Sequence, residues 1–207
     1  MKQDIVVIDY GMGNLRSVAK ALERLGIAAV VSSDPVIIEK AEKLILPGVG
    51  HFAYGMEKLR QLDIVDLLNH RILDLHTPVL GICLGMQLMT RFSEEGNVEG
   101  LNWIDAKTIR FPVEFALRKI KVPHIGWNNT TRNNNHSFWE NISQEDLFYF
   151  VHSYYVSCTN RQDSLFQSTY GITFDSGFLH ENIIGVQFHP EKSHKSGLKL
   201  LKNFINL

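Results

Sequence analysis

The chain has 207 residues, 44% of them hydrophobic, which is enough to bury a sizeable core and fits one large domain over the full 1–207 span. Lys plus Arg number 21 against 22 Asp plus Glu, so there is no basic excess to condense on phosphates, and nucleic acid is set aside as a partner. The longest apolar stretches, such as "IAAVV" at 27–31, fall far short of the roughly 20 residues that span a bilayer. The first residues lack the long apolar core of a signal peptide; the expectation is a cytoplasmic protein without membrane contact, its Cys83 and Cys158 free thiols.

In chain order, "DIVVIDYG" (4–11) reads as a buried strand. "NLRSVAKALERLG" (14–26) then places Leu15, Val18, Leu22 and Leu25 on one helical face, with Asn14 as N-cap and Gly26 as terminator. A second strand follows at 27–32, Asp34-Pro35 opens a short helix, and "KLILPG" (43–48) is a third strand. Helical patterns run to about residue 74, then "PVLGIC" (78–83) is a fourth strand and a helix extends from about Gly85 to Phe92. Apolar strands separated by helices imply a parallel sheet covered on both faces.

Beyond residue 103 the segments shorten and become β-rich: "WIDAKTIRF", "KIKVPHIGW", "LFYFVHSYYVS", "YGITFDSGFL" and "NIIGVQF". They are expected to complete the same sheet and add strands at its edge. The polar stretch 130–146 reads as a surface loop with a short helix, and the chain closes on an amphipathic helix with Leu198, Leu201 and Ile205 on one face.

Several constellations could carry chemistry. "GMGN" (11–14) opens a helix after a strand as in a dinucleotide site, but Arg16 stands where the third glycine of that fingerprint belongs, and Asp34 reads as a helix cap. Cys83, in "GICLG", copies the G-x-S-x-G nucleophile elbow with sulfur for oxygen; Gly81 and Gly85 carry no Cβ, so the backbone can crowd at a sharp strand-to-helix turn. A buried structural cysteine is the other reading. A thiol nucleophile needs a base, and His124, His152 and His189 all end strand-like runs. Pro190 and Glu191 favour His189, because a carboxylate two positions on can hold the imidazole tautomer. Gly48 and Gly50 in "LPGVGHF" could turn backbone N–H groups toward an oxyanion, or form an ordinary strand-to-helix turn.

Taken in order, "DYGMGN", "LPGVGHF", "GICLGMQ", "KVPHIGWN", "FYFVHSYYV" and "GVQFHPEKS" resemble the triad-type (class I) glutamine amidotransferases over essentially the whole chain. Within that family the likeness is to the glutaminase subunits of imidazole glycerol phosphate synthase. It implies a flavodoxin-like α/β fold, a mainly parallel sheet flanked by helices with added antiparallel strands. It also implies L-glutamine hydrolysis to glutamate and ammonia by a Cys83–His189–Glu191 triad, with no cofactor and no metal. Gly48, Val49, Gly50 and Leu84 would surround the oxyanion, and Gln87, Glu95, Ser153 and Tyr154 would grip the amino-acid end of the substrate. Asn14, Trp127, Asn128, Tyr149 and Lys192 match the face that meets a barrel-shaped cyclase subunit in a heterodimer, where ammonia is used to make imidazole glycerol phosphate and AICAR for histidine biosynthesis. Three alternatives share parts of the pattern: a paralogous subunit feeding a sugar-nucleotide acceptor in surface-polysaccharide synthesis, a stand-alone cysteine hydrolase of related fold, and a non-catalytic flavodoxin-like binding module.

Overall fold

Alternation within the apolar runs sets the layers. The computed structural model describes residues 3–133 and 136–207. Strand β1 (Gln3–Ile8) pairs in parallel with β2 (Ala29–Ser32) and β3 (Ala41–Gly48). It sends Ile5 and Val7 to one core and Val6 and Ile8 to the other, because successive strand side chains face opposite ways. Helix α1 (Leu15–Glu23) begins at Asn14, whose side chain accepts the Ser17 N–H, and its chain leaves through Gly26 at φ +77°. Helix α2 (Pro35–Glu39) is capped by Asp34 on Val36 N–H, as expected of Asp-Pro.

Helices α3 (Phe52–Gln61) and α4 (Val65–Asn69) lead through a π turn to β4 (Val79–Cys83). Helix α5 spans only Leu84–Leu88 and gives way to β5 (Thr90–Ser93), so the helix expected to Phe92 is four residues too long. The reason is Thr90: it is fully buried, and its Oγ1 bonds the Gln87 carbonyl and the Thr108 hydroxyl, while the Leu88 and Met89 carbonyls accept from Leu101 and Trp103.

The β-rich half contains β6 (Val98–Glu99), β7 (Ile104–Arg110), β8 (His124–Asn129), β9 (Thr131–Arg132), β10 (Leu147–His152), β11 (Tyr154–Cys158), β12 (Ser164–Tyr170), β13 (Ile172–His180) and β14 (Ile183–Val186), before α6 (His194–Ile205). The main path of the large sheet runs β2-β1-β3-β4-β14-β13-β11-β7-β5-β6, with β12 on β13 and β9 on β12. Neighbours from β2 to β14 are parallel, and the β14–β13, β13–β11 and β11–β7 pairs are antiparallel.

The expectation that this half only extends one sheet needs correction. Strands β8 and β10 form a separate two-stranded ribbon, and "LFYFVHSYYVS" breaks at Ser153, sending β10 to the ribbon and β11 to the main sheet. Strand β12 was not foreseen, and β8 starts only at His124. The 130–146 stretch is less a surface loop than a strap: its residues 134–135 lie outside the described residues, but Phe138, Trp139 and Ile142 are buried in the core beneath α6. That core is centred on Leu200, Leu201 and Phe204, with Leu198 and Ile205 partly buried at its margin. Helices α2, α3 and α4 cover one face of the sheet and α1 and α6 the other.

Candidate active site

Strands β3, β4 and β14 end side by side: Gly48 pairs with Cys83, and Val186 with Ile82. Ligands of open α/β sheets bind beyond the carboxyl ends of strands, and here that edge carries "PGVG", Cys83 and "QFHPE". Cys83 has φ +54° and ψ −110°, a conformation that non-glycine residues adopt only when the surroundings impose it. The imposed part comes from crowding. A Cβ at Gly85 would overlap the Leu46 carbonyl, and one at Gly81 would stand 2.8 Å from the Met86 N. The two glycines therefore let strand and helix close up, and the cysteine itself takes the strained turn.

His189 lies three residues past β14, almost wholly buried, its N–H bonded to the Tyr149 carbonyl at 2.9 Å. Its Nδ1 meets Glu191 Oε1 at 2.8 Å, with side-chain exposures of 1% and 2%. Burial alone would lower the His189 pKa, but Cys83 and Glu191 outweigh it and push it up to about 10, so the imidazolium is the favoured form. His124 and His152 are held differently. His152 Nδ1–H donates to the Tyr154 carbonyl at 2.8 Å, which leaves its Nε2 to accept from His124 Nδ1 at 3.0 Å. Burial lowers the pKa of His124 to about 4; it lowers that of His152 to about 3, helped by His124 and His189 and opposed by the bond to Tyr154. Both are neutral structural histidines at physiological pH.

A cavity of about 230 Å³ opens over the elbow, lined by Val49, Gly50, Cys83, Leu84, Gln87, Glu95, Pro123, Val151, His152, Ser153 and Tyr154. All four residues expected to grip substrate are on its wall. The Gln87 amide nitrogen is committed to the Tyr154 carbonyl at 3.0 Å and to Gln187 Oε1 at 2.9 Å, so Gln87 also fixes the wall. Glu95 Oε2 accepts the Phe52 N–H at 2.7 Å, supplying the cap that His51 does not give α3. Gly48 lies beneath the cavity rather than on it, and Gly50 has φ +130°, a conformation that L side chains rarely adopt. The second glycine of "GMGN" also packs here, since a Cβ on Gly13 would stand 3.2 Å from Gly48 Cα, whereas Gly11 has open space around it and turns the chain at φ +79°.

The expected partner-face residues divide between two jobs. Trp127 and Tyr149 are cross-strand partners on the outer side of the ribbon, with Trp127 46% exposed and Lys192 5.8 Å over the Tyr149 ring. Asn128 donates to the Thr169 carbonyl, and Asn14 is exposed while capping α1. Sequence reasoning missed three residues here. Gln187 is fully buried and bridges Gln87 and the Cys83 sulfur; it stands inside the quoted "GVQFHPE" but alternates with apolar neighbours, so it could have been read as polar and inward-facing. His194 stacks on Trp127 at 5.1 Å, and the Tyr10 hydroxyl is buried beside Gly48. Cys158 lines a separate cavity of about 460 Å³ with Arg161 and Asp175; burial and Asp175 push its thiol pKa up, away from the thiolate chemistry needs. Among the described residues no cluster of three or more His, Cys, Asp or Glu could hold a metal ion, and no helix is long and apolar enough to cross a membrane.

Comparison with known proteins agrees with this fold. The chain is 47% identical over 201 residues to imidazole glycerol phosphate synthase subunit HisH 2 of Methanococcus maripaludis, covering 97% of this chain and 98% of that one. It is 46% identical to subunit HisH 2 of Pseudomonas aeruginosa (98% and 99% covered) and 43% identical to subunit HisH of Archaeoglobus fulgidus (98% and 98%). Solved structures share the fold at lower identity: PurLQS from Thermotoga maritima has a TM-score of 0.74 at 18% identity, covering 100% of this chain and 99% of that one. A glutamine amidotransferase from the same organism has a TM-score of 0.65 at 19%, covering 100% and 82%. The family model "Glutamine amidotransferase class-I" matches residues 6–207, from the first buried strand through the elbow to the end of the closing helix. With a cysteine elbow and a His–Glu pair at the strand ends of that same span, the chain belongs to the class-I glutamine amidotransferases.

Proposed function

We propose that the chain is the glutaminase subunit of imidazole glycerol phosphate synthase in histidine biosynthesis, a single-domain cytoplasmic enzyme paired with a barrel cyclase. The observation that carries the chemistry is the strained Cys83 on the floor of an amino-acid-sized cavity with the buried His189–Glu191 pair coupled to it. The Cys83 sulfur attacks the carboxamide carbon of L-glutamine, and the N–H groups of Leu84 and the 48–50 loop take the negative charge. His189, having taken the thiol proton, gives it to the departing amine, so ammonia leaves and a thioester remains. Water, activated by the same imidazole, splits the thioester to glutamate and restores the thiol. Gln87, Glu95, Ser153 and Tyr154 hold the amino-acid end. The near full-length likeness to subunits of this synthase supports the assignment of pathway and partner.

The ribbon face of Trp127, Asn128 and Tyr149, with Lys192 and Asn14, is the surface offered to the cyclase. It connects to the site through the Tyr149 carbonyl that holds His189. Cys83→Ala is expected to abolish glutamine-dependent synthesis in the reconstituted complex while ammonium salts still support product formation, because the acceptor site lies on the other chain. Glutamine-dependent turnover in that variant would refute the nucleophile. A wild-type pair that hydrolyses glutamine but makes no imidazole product from the phosphoribulosyl formimino substrate would move the acceptor to the sugar-nucleotide alternative.

A further inference from the structure

Buried polar atoms without a partner are uncommon in folded proteins and call for an explanation. Among the described residues they include Tyr10 Oη, His189 Nε2 and Glu191 Oε2. The last two belong to the catalytic pair already described. Tyr10 does not, yet its side chain is only 1% exposed and its hydroxyl lies at the root of the same site. A Cβ on Gly48 would stand 2.5 Å from Tyr10 Oη, 2.7 Å from Leu84 Cβ and 2.8 Å from the Gly85 N, so the hydroxyl is lodged between the end of β3 and the first turn after Cys83. Burial and the nearby Cys83 push the Tyr10 pKa up, which keeps it a neutral donor.

A phenylalanine would fill that space without stranding a hydroxyl. The adjoining backbone can supply the acceptor that Oη lacks in this form. Gly48 is buried and Val49 is 46% exposed, so the peptide between them sits at the cavity rim. Because the N–H and C=O of a peptide point in opposite directions, turning the Val49 N–H into the cavity turns the Gly48 carbonyl into the protein, where it needs a donor. We infer that Tyr10 is a positioning residue for glutamine hydrolysis: its hydroxyl donates to the Gly48 carbonyl in the loop form whose Val49 N–H faces the oxyanion, and it is unpartnered in the other form. A bond made in only one of two forms shifts the balance toward that form. This inference rests on the glutaminase reading and adds to it the residue that holds the oxyanion loop in its working form.

Tyr10→Phe tests it in the complex with the cyclase. The expected result is a fall in kcat for glutamine hydrolysis of about tenfold or more, with KM within about twofold, since the lost bond acts in the transition-state form. The melting temperature of the isolated chain stays level or rises, because the resting hydroxyl has no partner to lose. Alkylation of Cys83 by iodoacetamide, a displacement that develops no oxyanion, proceeds at the wild-type rate. An unchanged kcat overturns the inference. So does a parallel loss of alkylation rate, which would place the effect on the thiol, or a lowered melting temperature, which would make the hydroxyl a stabilising contact of the resting fold. A wild-type complex with no glutamine turnover removes the glutaminase reading itself, whereas wild-type turnover matched by the variant removes only the role of Tyr10.

Discussion

At Cys83 the strain of the elbow, on the order of 1–3 kcal/mol for a residue held in such a region, is borne by the proposed nucleophile rather than by a glycine. The flanking glycines were legible in the sequence because close approach leaves a compositional mark, whereas the positive φ of the cysteine leaves none. His189 is held charged by Cys83 and Glu191 against the opposing effect of burial. His189→Ala is expected to lower kcat for glutamine hydrolysis by about 10²–10⁴, as for loss of a general acid–base. Glu191→Gln is the finer experiment. The amide oxygen can still accept from Nδ1–H, but removing the carboxylate charge lowers the His189 pKa from about 10. The alkaline limb of the kcat/KM profile is then expected to move to lower pH, with KM for glutamine little changed. An alkaline limb identical to wild type would show that Glu191 does not tune the imidazole.

Among the elements, the β8–β10 ribbon is the one that sequence reasoning placed least well, and it carries a testable pH response. His124 and His152 face each other across it, bonded Nδ1 to Nε2, with His124 stacked 4.0 Å from the Tyr170 ring. Their folded pKa values of about 4 and 3 lie below the ordinary histidine value, so the unfolded chain binds more protons between that value and the folded ones. Their contribution is therefore fully present above about pH 6.5 and is lost as pH falls toward 4 and below, at up to about 1.4 kcal/mol per pH unit for each histidine. His124→Phe keeps an aromatic ring on Tyr170 and removes one titrating group. Melting temperature should then fall less steeply from pH 6.5 to 4 than in wild type, at the expense of a lower value at neutral pH because His152 Nε2 loses its donor. An unchanged slope would mean that other groups set the acid response. The ribbon escaped sequence reading because the break at Ser153 is decided by non-local pairing: β10 and β11 are each good strands, and nothing local says that they join different sheets. Strand β12 escaped because Ser164, Gln167, Ser168 and Thr169 dilute Leu165 and Phe166. The parallel half was legible because its apolar runs, Asn14, Asp34 and Gly26 are local signals that act where they stand.

For the whole molecule, the strand-end site, the glycine loop and the ribbon face meet in one place, which is the geometry that coupling to a partner requires. A glutaminase that ran alone would release ammonia with no acceptor, so weak activity in isolation and strong stimulation in the complex are expected. A peptide of the 48–50 loop that rotates toward the cavity would add one oxyanion donor, worth about 3–4 kcal/mol in the transition state. A partner docked on the proposed face can favour that rotation only by binding the rotated form more tightly; Trp127 pairs with Tyr149, whose carbonyl accepts the backbone N–H of His189, and that is the route we propose. Gly50 follows the rotating Gly48–Val49 peptide and lets the loop take up its turn. It sits at φ +130°, and an added Cβ would stand 2.6 Å from the Met12 methyl carbon, so Gly50→Val both restricts the backbone and presses on the "GMGN" loop. The variant is expected to lower the ratio of complexed to isolated glutaminase rate by about tenfold or more, equal to about 1.4 kcal/mol of lost coupling, while the dissociation constant of the pair changes much less. Both quantities come from one titration of the chain with the cyclase at saturating glutamine. A fall in affinity that matched the fall in stimulation would place the defect in assembly instead. If the wild-type chain alone already turns over as fast as the complex, the loop is no switch, and a stand-alone hydrolase describes the molecule better.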